Sequence, residues 1–258
     1  MLKFSANLSF LYPDKPFLER FAAAAADGFP AVEYLGPYAD PKEKVAETLQ
    51  TAGLKQALFN VPSGDWAGGE RGIASHPDRV EEFRAGIATA LDYARALDCP
   101  KVNVISGLVK PGADLQQLED TLVDNLKYAA ARCADAGIKL LIEPINTRDI
   151  PGFFLTTTRQ AERILDRVGH DNLYIQYDVY HMQVMQGDLI PTYERLRDRI
   201  AHVQIADNPG RNEPGTGEIN YRFVFAALDR LGYDGYVGCE YKPKAGTSEG
   251  LGWMKELA

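Results

Sequence analysis

The feature that most constrains this chain is a junction that recurs along it. A helical pattern ends at a glycine, and a short apolar run follows within a few residues, at Gly28, Gly53, Gly137, Gly169 and Gly232. Glycine readily adopts the left-handed conformation that ends a helix, and a short apolar run after it is typical of a strand buried on both faces. Two more junctions, near residues 98 and 199, join the same kinds of segment without a glycine.

These junctions lie 25 to 45 residues apart, and most of the spacings are near 30. Strict alternation of strands and helices requires a parallel sheet with right-handed crossovers. With a first strand in KFSANLSF, eight strands alternate with seven or eight helices. Eight units in 258 residues favour a closed barrel, which usually takes about 250 residues. We therefore predict an α/β fold, a single (β/α)8 TIM barrel domain over residues 1–258.

An open dinucleotide-binding sheet is the alternative fold. That fold needs a G-x-G-x-x-G turn after its first strand, but the segment SANLSFLYP contains no glycine. The densest later cluster, GTGEIN at 215–220, does not follow a strand end. Two helix starts are also readable from capping patterns, Asp40-Pro41 with Glu43 and Asp114 with Gln117.

Charge and composition narrow the class of partner. The 28 basic and 36 acidic residues give a net charge of -8, which opposes binding to nucleic acid or to anionic membranes. No apolar run approaches the roughly 18 residues of a membrane span, and the N-terminus does not resemble a secretory signal. The three cysteines lack CxxC spacing. We expect a cytoplasmic protein with a small-molecule substrate, and homo-oligomerisation is left open.

Four oxygen-bearing side chains end four successive strands in the second half of the chain. They are Glu143 after IKLLI, Asp178 after LYIQY, Gln204 in HVQI and Glu240 after YVGC. The carboxyl ends of barrel strands form one rim, where active sites lie. Three carboxylates converging there would repel one another unless a cation lay among them, and oxygen ligands suit Mg²⁺ or Mn²⁺. We predict a divalent metal site formed by these four residues.

Several motifs together give the chain a resemblance to the hydroxypyruvate isomerase family, in the wider xylose isomerase-like group that includes ketose 3-epimerases and endonuclease IV. The motifs are LIEPIN, YDVYHMQ, HVQIAD, PGTGEINY, CEYKP and FNVPSGDWAGGERGIA. The resemblance implies a TIM barrel, a divalent metal and a pair of catalytic glutamates. By motif position these are Glu143 and Glu240, with Asp178 and Gln204 completing the metal site. Ketose 3-epimerases have a histidine where this chain has Gln204.

The implied chemistry is a proton transfer between neighbouring carbons of a hydroxy-oxo acid, through an enediolate that the metal stabilises. The nearest alternatives are an isomerase of a longer 2-oxo acid, such as 2-oxo-tetronate, and a ketose 3-epimerase. A sugar-acid sensor without catalytic activity is the alternative outside the enzymes. Endonuclease IV is disfavoured because its zinc cluster is rich in histidine and this chain has four histidines.

Substrate-binding candidates come from the loops and strand ends at the same rim. The resemblance assigns His181, in DVYH, to a substrate oxygen. A carboxylate substrate also requires a cation, for which Arg71 and Lys242 rank ahead of Arg148 and Arg211. The full set of predicted substrate-binding residues is His181, Arg71, Lys242, Asn7, Asn60 and Glu70.

Overall fold

A computed structural model describes residues 2–257 and shows a closed barrel of parallel strands in sequential order. Neighbouring strands pair in parallel around the full circle, and β1 closes the barrel against β8. The predicted (β/α)8 fold is confirmed. The strands are β1 (Lys3–Asn7), β2 (Ala31–Tyr34), β3 (Lys55–Asn60), β4 (Lys101–Val104), β5 (Lys139–Ile142), β6 (Leu173–Asp178), β7 (Ile200–Ile205) and β8 (Tyr236–Cys239).

Helices surround the barrel and pack apolar faces against it. Two of them, α6 and α7, lie between β6 and β7, where the sequence predicts one helix. Within residues 2–257, no helix has the length and apolar character needed to span a membrane. The helices are α1 (Glu19–Ala26), α2 (Lys42–Thr51), α3 (Val80–Ala96), α4 (Leu115–Asp135), α5 (Thr158–Val168), α6 (Val179–Met185), α7 (Leu189–Leu196), α8 (Tyr221–Arg230) and α9 (Trp253–Glu256).

The junction glycines take the backbone conformation that the sequence predicts. All five have positive φ, between 64° and 87°. At the junction near residue 98, Asp98 adopts the same left-handed conformation with φ of 50°. At the other junction without glycine, a 3-10 turn at Arg197–Arg199 leads into β7. The seven junctions therefore use three local solutions to end a helix before a strand.

Only one of the two predicted helix caps forms. Asp114 accepts hydrogen bonds from the backbone N–H groups of Gln116 and Gln117, as predicted. The capping box at Asp40 is wrong, because α2 has Pro41 at its N-cap position and no side chain caps it. Pro41 has a ψ of 136°, which is not helical, so α2 begins at Lys42, one residue later than the pattern predicts.

The barrel interior is polar at its carboxyl end, although the interior of such barrels is ordinarily filled by Val, Ile and Leu. The apolar core lies between the barrel and the helices instead. The stability of the fold therefore rests mainly on that outer layer, and the interior is free to carry chemistry. Buried polar side chains on the strands or directly after them are Ser5, Asn7, Glu33, Gln56, Asn60, Asn103, Glu143, Gln176, Asp178, His202, Gln204 and Glu240.

Gly137→Ala should destabilise the fold through backbone conformation alone. A Cβ at Gly137 would meet nothing within 4 Å, but φ is +70°, where an L side chain is strained by about 1 kcal/mol. Gly252→Ala is the matched control, because its Cβ site is equally open and its φ is -51°. Thermal unfolding should show a loss of about 2–4 °C in Tm for Gly137→Ala and no loss for the control; equal shifts would contradict the argument.

Candidate active site

Glu143 and Asp178 each present one open carboxylate oxygen at the carboxyl mouth of the barrel. Glu143 Oε2 accepts a hydrogen bond from Asn103 (3.1 Å), and Asp178 Oδ1 accepts from the backbone N–H groups of Tyr180 (2.7 Å) and His181 (3.1 Å). Glu143 Oε1 and Asp178 Oδ2 are buried and have no hydrogen-bond partner among residues 2–257. A buried anionic oxygen without a partner is costly, so this pair of atoms is suited to a bound cation.

Glu240, by contrast, has both oxygens engaged. Arg211 Nη2 donates to Oε1 (2.6 Å). Gln204 Nε2 and Asn7 Nδ2 donate to Oε2, at 2.7 and 3.0 Å. The donors come from β7, from β1 and from the loop after β7, so three separate segments orient this carboxyl group.

The three carboxyl groups at the mouth titrate above their ordinary range. Burial raises the pKa of Glu240 to about 8, against the opposing effect of Arg211 and with support from Asp178 and Glu33. Burial also raises the pKa of Asp178 to about 6. The pKa of Glu143 lies well above its ordinary value, through burial and then through its acidic neighbours Glu240 and Asp178. Without a cation, acidic groups this close do not all ionise at neutral pH.

His181 lies between the open oxygens of Glu143 and Asp178, with Nε2 3.7 Å from each. The direction of its ring hydrogen follows from Asn146. The backbone N–H of Asp149 donates to Asn146 Oδ1 (2.7 Å), so Asn146 Nδ2 is the atom that donates to His181 Nδ1 (2.7 Å). Burial also lowers the pKa of His181 well below its ordinary value. A neutral ring that accepts at Nδ1 carries its hydrogen on Nε2, which makes His181 a donor toward the mouth.

Gln204 turns its amide nitrogen toward Glu240 and its oxygen toward Gln176. Its Nε2 also donates to Glu33 (2.7 Å), and its Oε1 accepts from Gln176 Nε2 (2.6 Å). An amide oxygen has two lone pairs, so Oε1 can keep the hydrogen bond from Gln176 and still offer a lone pair to a metal. The predicted ligand role of Gln204 thus rests on an oxygen that already has one partner, whereas Glu143 and Asp178 present open oxygens.

Arg211 is the cation that the structure brings to the cluster. It bonds Glu240 and Asp149, stacks on the rings of Phe10 and Tyr180, and adopts a left-handed backbone with φ of 53°. Such a conformation costs a non-glycine residue of order 1 kcal/mol, so the surrounding structure must hold Arg211 in place. From the sequence, Arg211 ranks behind Arg71 and Lys242 as a substrate-binding cation. The reason is that the direction of a side chain in a loop cannot be predicted without the shape of the loop.

The remaining predicted residues fall into two groups. Asn60 reaches the cluster indirectly, through Asn103, which donates to both Asn60 Oδ1 and Glu143. Arg71 stacks on Trp66 and bonds backbone carbonyls in the loop after β3. The structure does not bring Glu70 or Lys242 to the cluster. Both oxygens of Glu70 are held by Arg79 and the Asp65 N–H, and the Lys242 side chain is exposed.

Sequence reasoning missed Glu33, which is fully buried and shares two amide donors with Glu240. Its carboxylate accepts hydrogen bonds from four side chains. Burial acts to raise the pKa of Glu33, but His202 and the hydrogen bonds together outweigh burial and hold this pKa below its ordinary value. A glutamate inside the apolar run AVEYL was the available signal. The donors are Ser5 (2.8 Å), Asn7 (3.2 Å), His202 (2.8 Å) and Gln204 (2.7 Å).

The residues at the mouth fit a divalent metal. The carboxylate oxygens of Glu143 and Asp178 lie within 4.8 Å of each other and of His181 Nε2, and the three residues are buried. Two unpartnered carboxylate oxygens form a donor set of the hard type that Mg²⁺ and Mn²⁺ prefer. The hydrogen that Asn146 directs to Nε2 makes His181 a poor ligand by comparison, since a metal needs that lone pair free.

A (β/α)8 barrel with buried acidic side chains at its carboxyl mouth has its polar site where the active sites of TIM barrel enzymes lie. The family model for xylose isomerase-like TIM barrels matches residues 21–257. The chain therefore belongs to the xylose isomerase-like TIM barrel family, and within it to the hydroxypyruvate isomerase family, to which full-length sequence similarity assigns it.

Two relatives and one solved structure show the extent of that similarity. The chain is 53% identical to the hydroxypyruvate isomerase of Escherichia coli (strain K12), with 98% of each chain covered. It is 48% identical to the 2-oxo-tetronate isomerase of Cupriavidus necator, over 99% of this chain and 98% of the relative. A crystal structure described as an AP endonuclease, family 2, from Brucella melitensis superposes with a TM-score of 0.96 at 44% identity, with 99% of each chain covered.

The metal-free protein should lose stability as the pH rises. In the folded protein the pKa of Glu240 is raised from 4.5 to about 8, and that of Asp178 from 3.8 to about 6. Between the ordinary and the raised values the folded state holds protons that the unfolded chain has released, so the free energy of unfolding falls as pH rises through that window. With chelator present, Tm should drop by several °C between pH 5 and pH 8.5.

Added Mn²⁺ should oppose that loss, and more strongly at pH 8.5 than at pH 5, because a cation favours the ionised carboxylates. Glu240→Gln should flatten the part of the profile between pH 6 and pH 8 in the metal-free protein. Differential scanning fluorimetry over a pH series measures both effects. A metal-free Tm that is constant or rising over this range would show that the carboxyl groups are not held protonated.

Proposed function

We propose that this chain, an isomerase of the family described above, interconverts hydroxypyruvate and tartronate semialdehyde. The observation that carries the proposal is full-length similarity to a hydroxypyruvate isomerase at 53% identity, joined to two buried glutamates of raised pKa at one mouth. The catalytic acid and base are Glu143 and Glu240. The side chains that would hold Mg²⁺ or Mn²⁺ are those of Glu143, Asp178, Gln204 and Glu240. When bound, the ion would neutralise negative charge that develops on the two substrate oxygens.

The reaction moves one proton between carbons and one between oxygens. A glutamate removes a proton from C3 of hydroxypyruvate, and the electron pair forms the C2–C3 double bond of the enediolate. Delivery of a proton to C2 and transfer of the C3 hydroxyl proton to the C2 oxygen then give the aldehyde at C3. Glutamates whose pKa is raised toward neutral are well matched to both halves of this exchange, and Glu240 is such a group.

His181 and the surrounding polar groups are proposed to bind the substrate. The Nε2 hydrogen of His181 points between Glu143 and Asp178 and can donate to a substrate oxygen that develops negative charge. Asn7 touches Glu240, and Asn60 lies behind Asn103. Arg71 is proposed to meet the substrate carboxylate from the loop after β3. Lys242 and Glu70 could act only if their side chains moved into the mouth.

A four-carbon substrate is the second candidate, favoured by the 48% identity to a 2-oxo-tetronate isomerase. The same glutamate pair would serve it, because the proton transfer again joins carbons 2 and 3. Measuring kcat/KM for both acids with one metal-loaded preparation decides between them. The preferred acid should exceed the other by at least about 10-fold, and if neither is turned over the assigned reaction is wrong.

Removal of either catalytic carboxylate should abolish most of the proton transfer. In Glu143→Gln and Glu240→Gln, the exchange of substrate protons with deuterated buffer should slow by about 10²-fold or more. Proton NMR of hydroxypyruvate in D₂O, with Mn²⁺ replaced by Mg²⁺ to avoid broadening, measures the rate. Glu81→Gln, on the exposed face of α3, is the control and should exchange at the wild-type rate. Wild-type exchange in both site variants would remove the glutamates from the mechanism.

Asn146→Asp should reverse the direction of the His181 ring hydrogen. An aspartate can still accept from the Asp149 N–H, but its second oxygen would accept from Nδ1 and leave Nε2 without a hydrogen. We expect kcat/KM to fall about 10- to 100-fold while the fold stays intact. A loss of about 100-fold would equal the effect of removing one hydrogen-bond donor from an oxyanion-binding site. The ¹⁵N shifts of His181 report which ring nitrogen carries hydrogen. A reversed ring with unchanged kinetics would contradict the donor role.

A further inference from the structure

We propose that Glu33 is a positioning residue whose carboxylate holds the Gln204 amide against Glu240. This proposal rests on the proposed function and deepens it. Gln204 Nε2 lies 2.7 Å from Glu33 Oε1 and 2.7 Å from Glu240 Oε2. Asn7 Nδ2 makes the same bridge at 3.2 and 3.0 Å. Two amide groups therefore connect the buried carboxylate to the proposed catalytic one.

The barrel geometry shows how Glu33 reaches so far. Strand order around the closed barrel places β2, β1, β8 and β7 side by side. Glu33 on β2 extends across β1 and β8 to donors on β7, and Gly238 lies in its path, paired with both Ser5 and Gln204. A Cβ at position 238 would clash with both carboxylate oxygens of Glu33. Glycine at 238 is therefore a condition for the carboxylate to occupy this place.

The two oxygens of Glu33 have different tasks. Oε2 accepts from Ser5 (2.8 Å) and from His202 Nε2 (2.8 Å). Lys101 Nζ lies 3.4 Å from His202 Nδ1, which directs the ring hydrogen to Nε2 and so toward Glu33. Oε1 faces the bridging amides of Asn7 and Gln204. One oxygen anchors the carboxylate in the barrel and the other orients the groups at the mouth.

Packing alone gives no reason for a carboxylate at this position. The inside of a barrel is ordinarily filled by apolar side chains, and a buried charge is frequently less stabilising than a well-packed apolar residue of similar size. Within the described part of the chain, the Gln204 amide oxygen accepts a hydrogen bond from the Gln176 side chain and none from a backbone N–H. Asn7 does have a backbone donor, because the Ser9 N–H donates to its Oδ1. The orientation of Gln204 therefore depends on Glu33 more than that of Asn7 does.

Two variants remove the positioning by different routes, and one matched variant spares it. Glu33→Gln keeps the shape but replaces one acceptor with a donor, and Gly238→Ala displaces the carboxylate without changing a polar group. Ser5→Ala removes a hydrogen bond from Oε2 only and leaves the amide side intact. All three should lower Tm, which separates loss of stability from loss of positioning.

The first readout does not depend on activity. The Gln204→Glu variant identifies the Gln204 side-chain amide signal in ¹⁵N–¹H spectra of the metal-free protein. The hydrogens of this amide should exchange slowly with solvent in wild type and in Ser5→Ala. In Glu33→Gln and Gly238→Ala the signal should shift and exchange at least about 10-fold faster, because an amide without its buried partner opens to solvent. An unchanged Gln204 signal in Glu33→Gln would overturn the proposal.

The second readout is the split between kcat and KM in the metal-loaded enzyme. Misplacement of a catalytic group by about 1 Å can lower the reaction rate by about 10²-fold. We therefore expect kcat to fall about 10- to 100-fold in Glu33→Gln and Gly238→Ala, while KM stays within about 3-fold of the wild-type value. Ser5→Ala should keep the wild-type kcat. Equal loss of kcat in Ser5→Ala would make Glu33 merely structural. If wild type turns over neither acid but the Gln204 signal responds as expected, the proposed reaction fails and the positioning of Gln204 is supported.

Discussion

Four acidic side chains are buried inside one end of the barrel, three at the mouth and Glu33 beside them, and among residues 2–257 one guanidinium bonds directly to one of the four. Glu33, Glu143, Asp178 and Glu240 are each less than a tenth exposed, and Arg211 bonds Glu240. Burying unpaired charge is among the most costly arrangements in a protein, so the site must either protonate, bind a cation or surround its anions with donors. The raised pKa of Glu240 and the four donors on Glu33 show two of these solutions side by side. The open oxygens of Glu143 and Asp178 are suited to the third.

The architecture separates this costly interior from the source of stability. Apolar side chains on the outer faces of the strands pack against the helices, where the main apolar core lies. Hydrogen bonds between the backbones of neighbouring strands close the barrel. The polar network can therefore be ordered by hydrogen bonds while the helix layer supplies most of the apolar burial. This division lets one fold tolerate strained positions such as Arg211, with its left-handed backbone.

The sequence predicted the parts that follow from local rules. Glycine at a helix end and an apolar run after it are properties of neighbouring residues, so the barrel and its strand ends could be read, and with them Glu143, Asp178, Gln204 and Glu240. Glu33 and Arg211 could not be read in the same way. Glu33 acts across four strands, and its partners are up to 171 residues away in the chain. Arg211 lies in a loop whose direction depends on tertiary contacts, and Glu70 is bonded inside its own loop.

The carboxyl groups at the mouth differ in how many of their oxygens are hydrogen-bonded, and this difference separates cation binding from proton transfer. Glu143 and Asp178 each keep one oxygen open, so a cation can meet them without breaking a hydrogen bond. Three donors bond Glu240, and an ionised carboxyl group has about four acceptor sites, so one site is left for proton exchange with substrate. Arg211 and the amides of Gln204 and Asn7 therefore orient Glu240 without occupying all of its acceptor sites. Burial raises the pKa of Glu240 to about 8, so this carboxyl gains and loses a proton near neutral pH, which suits an acid–base group.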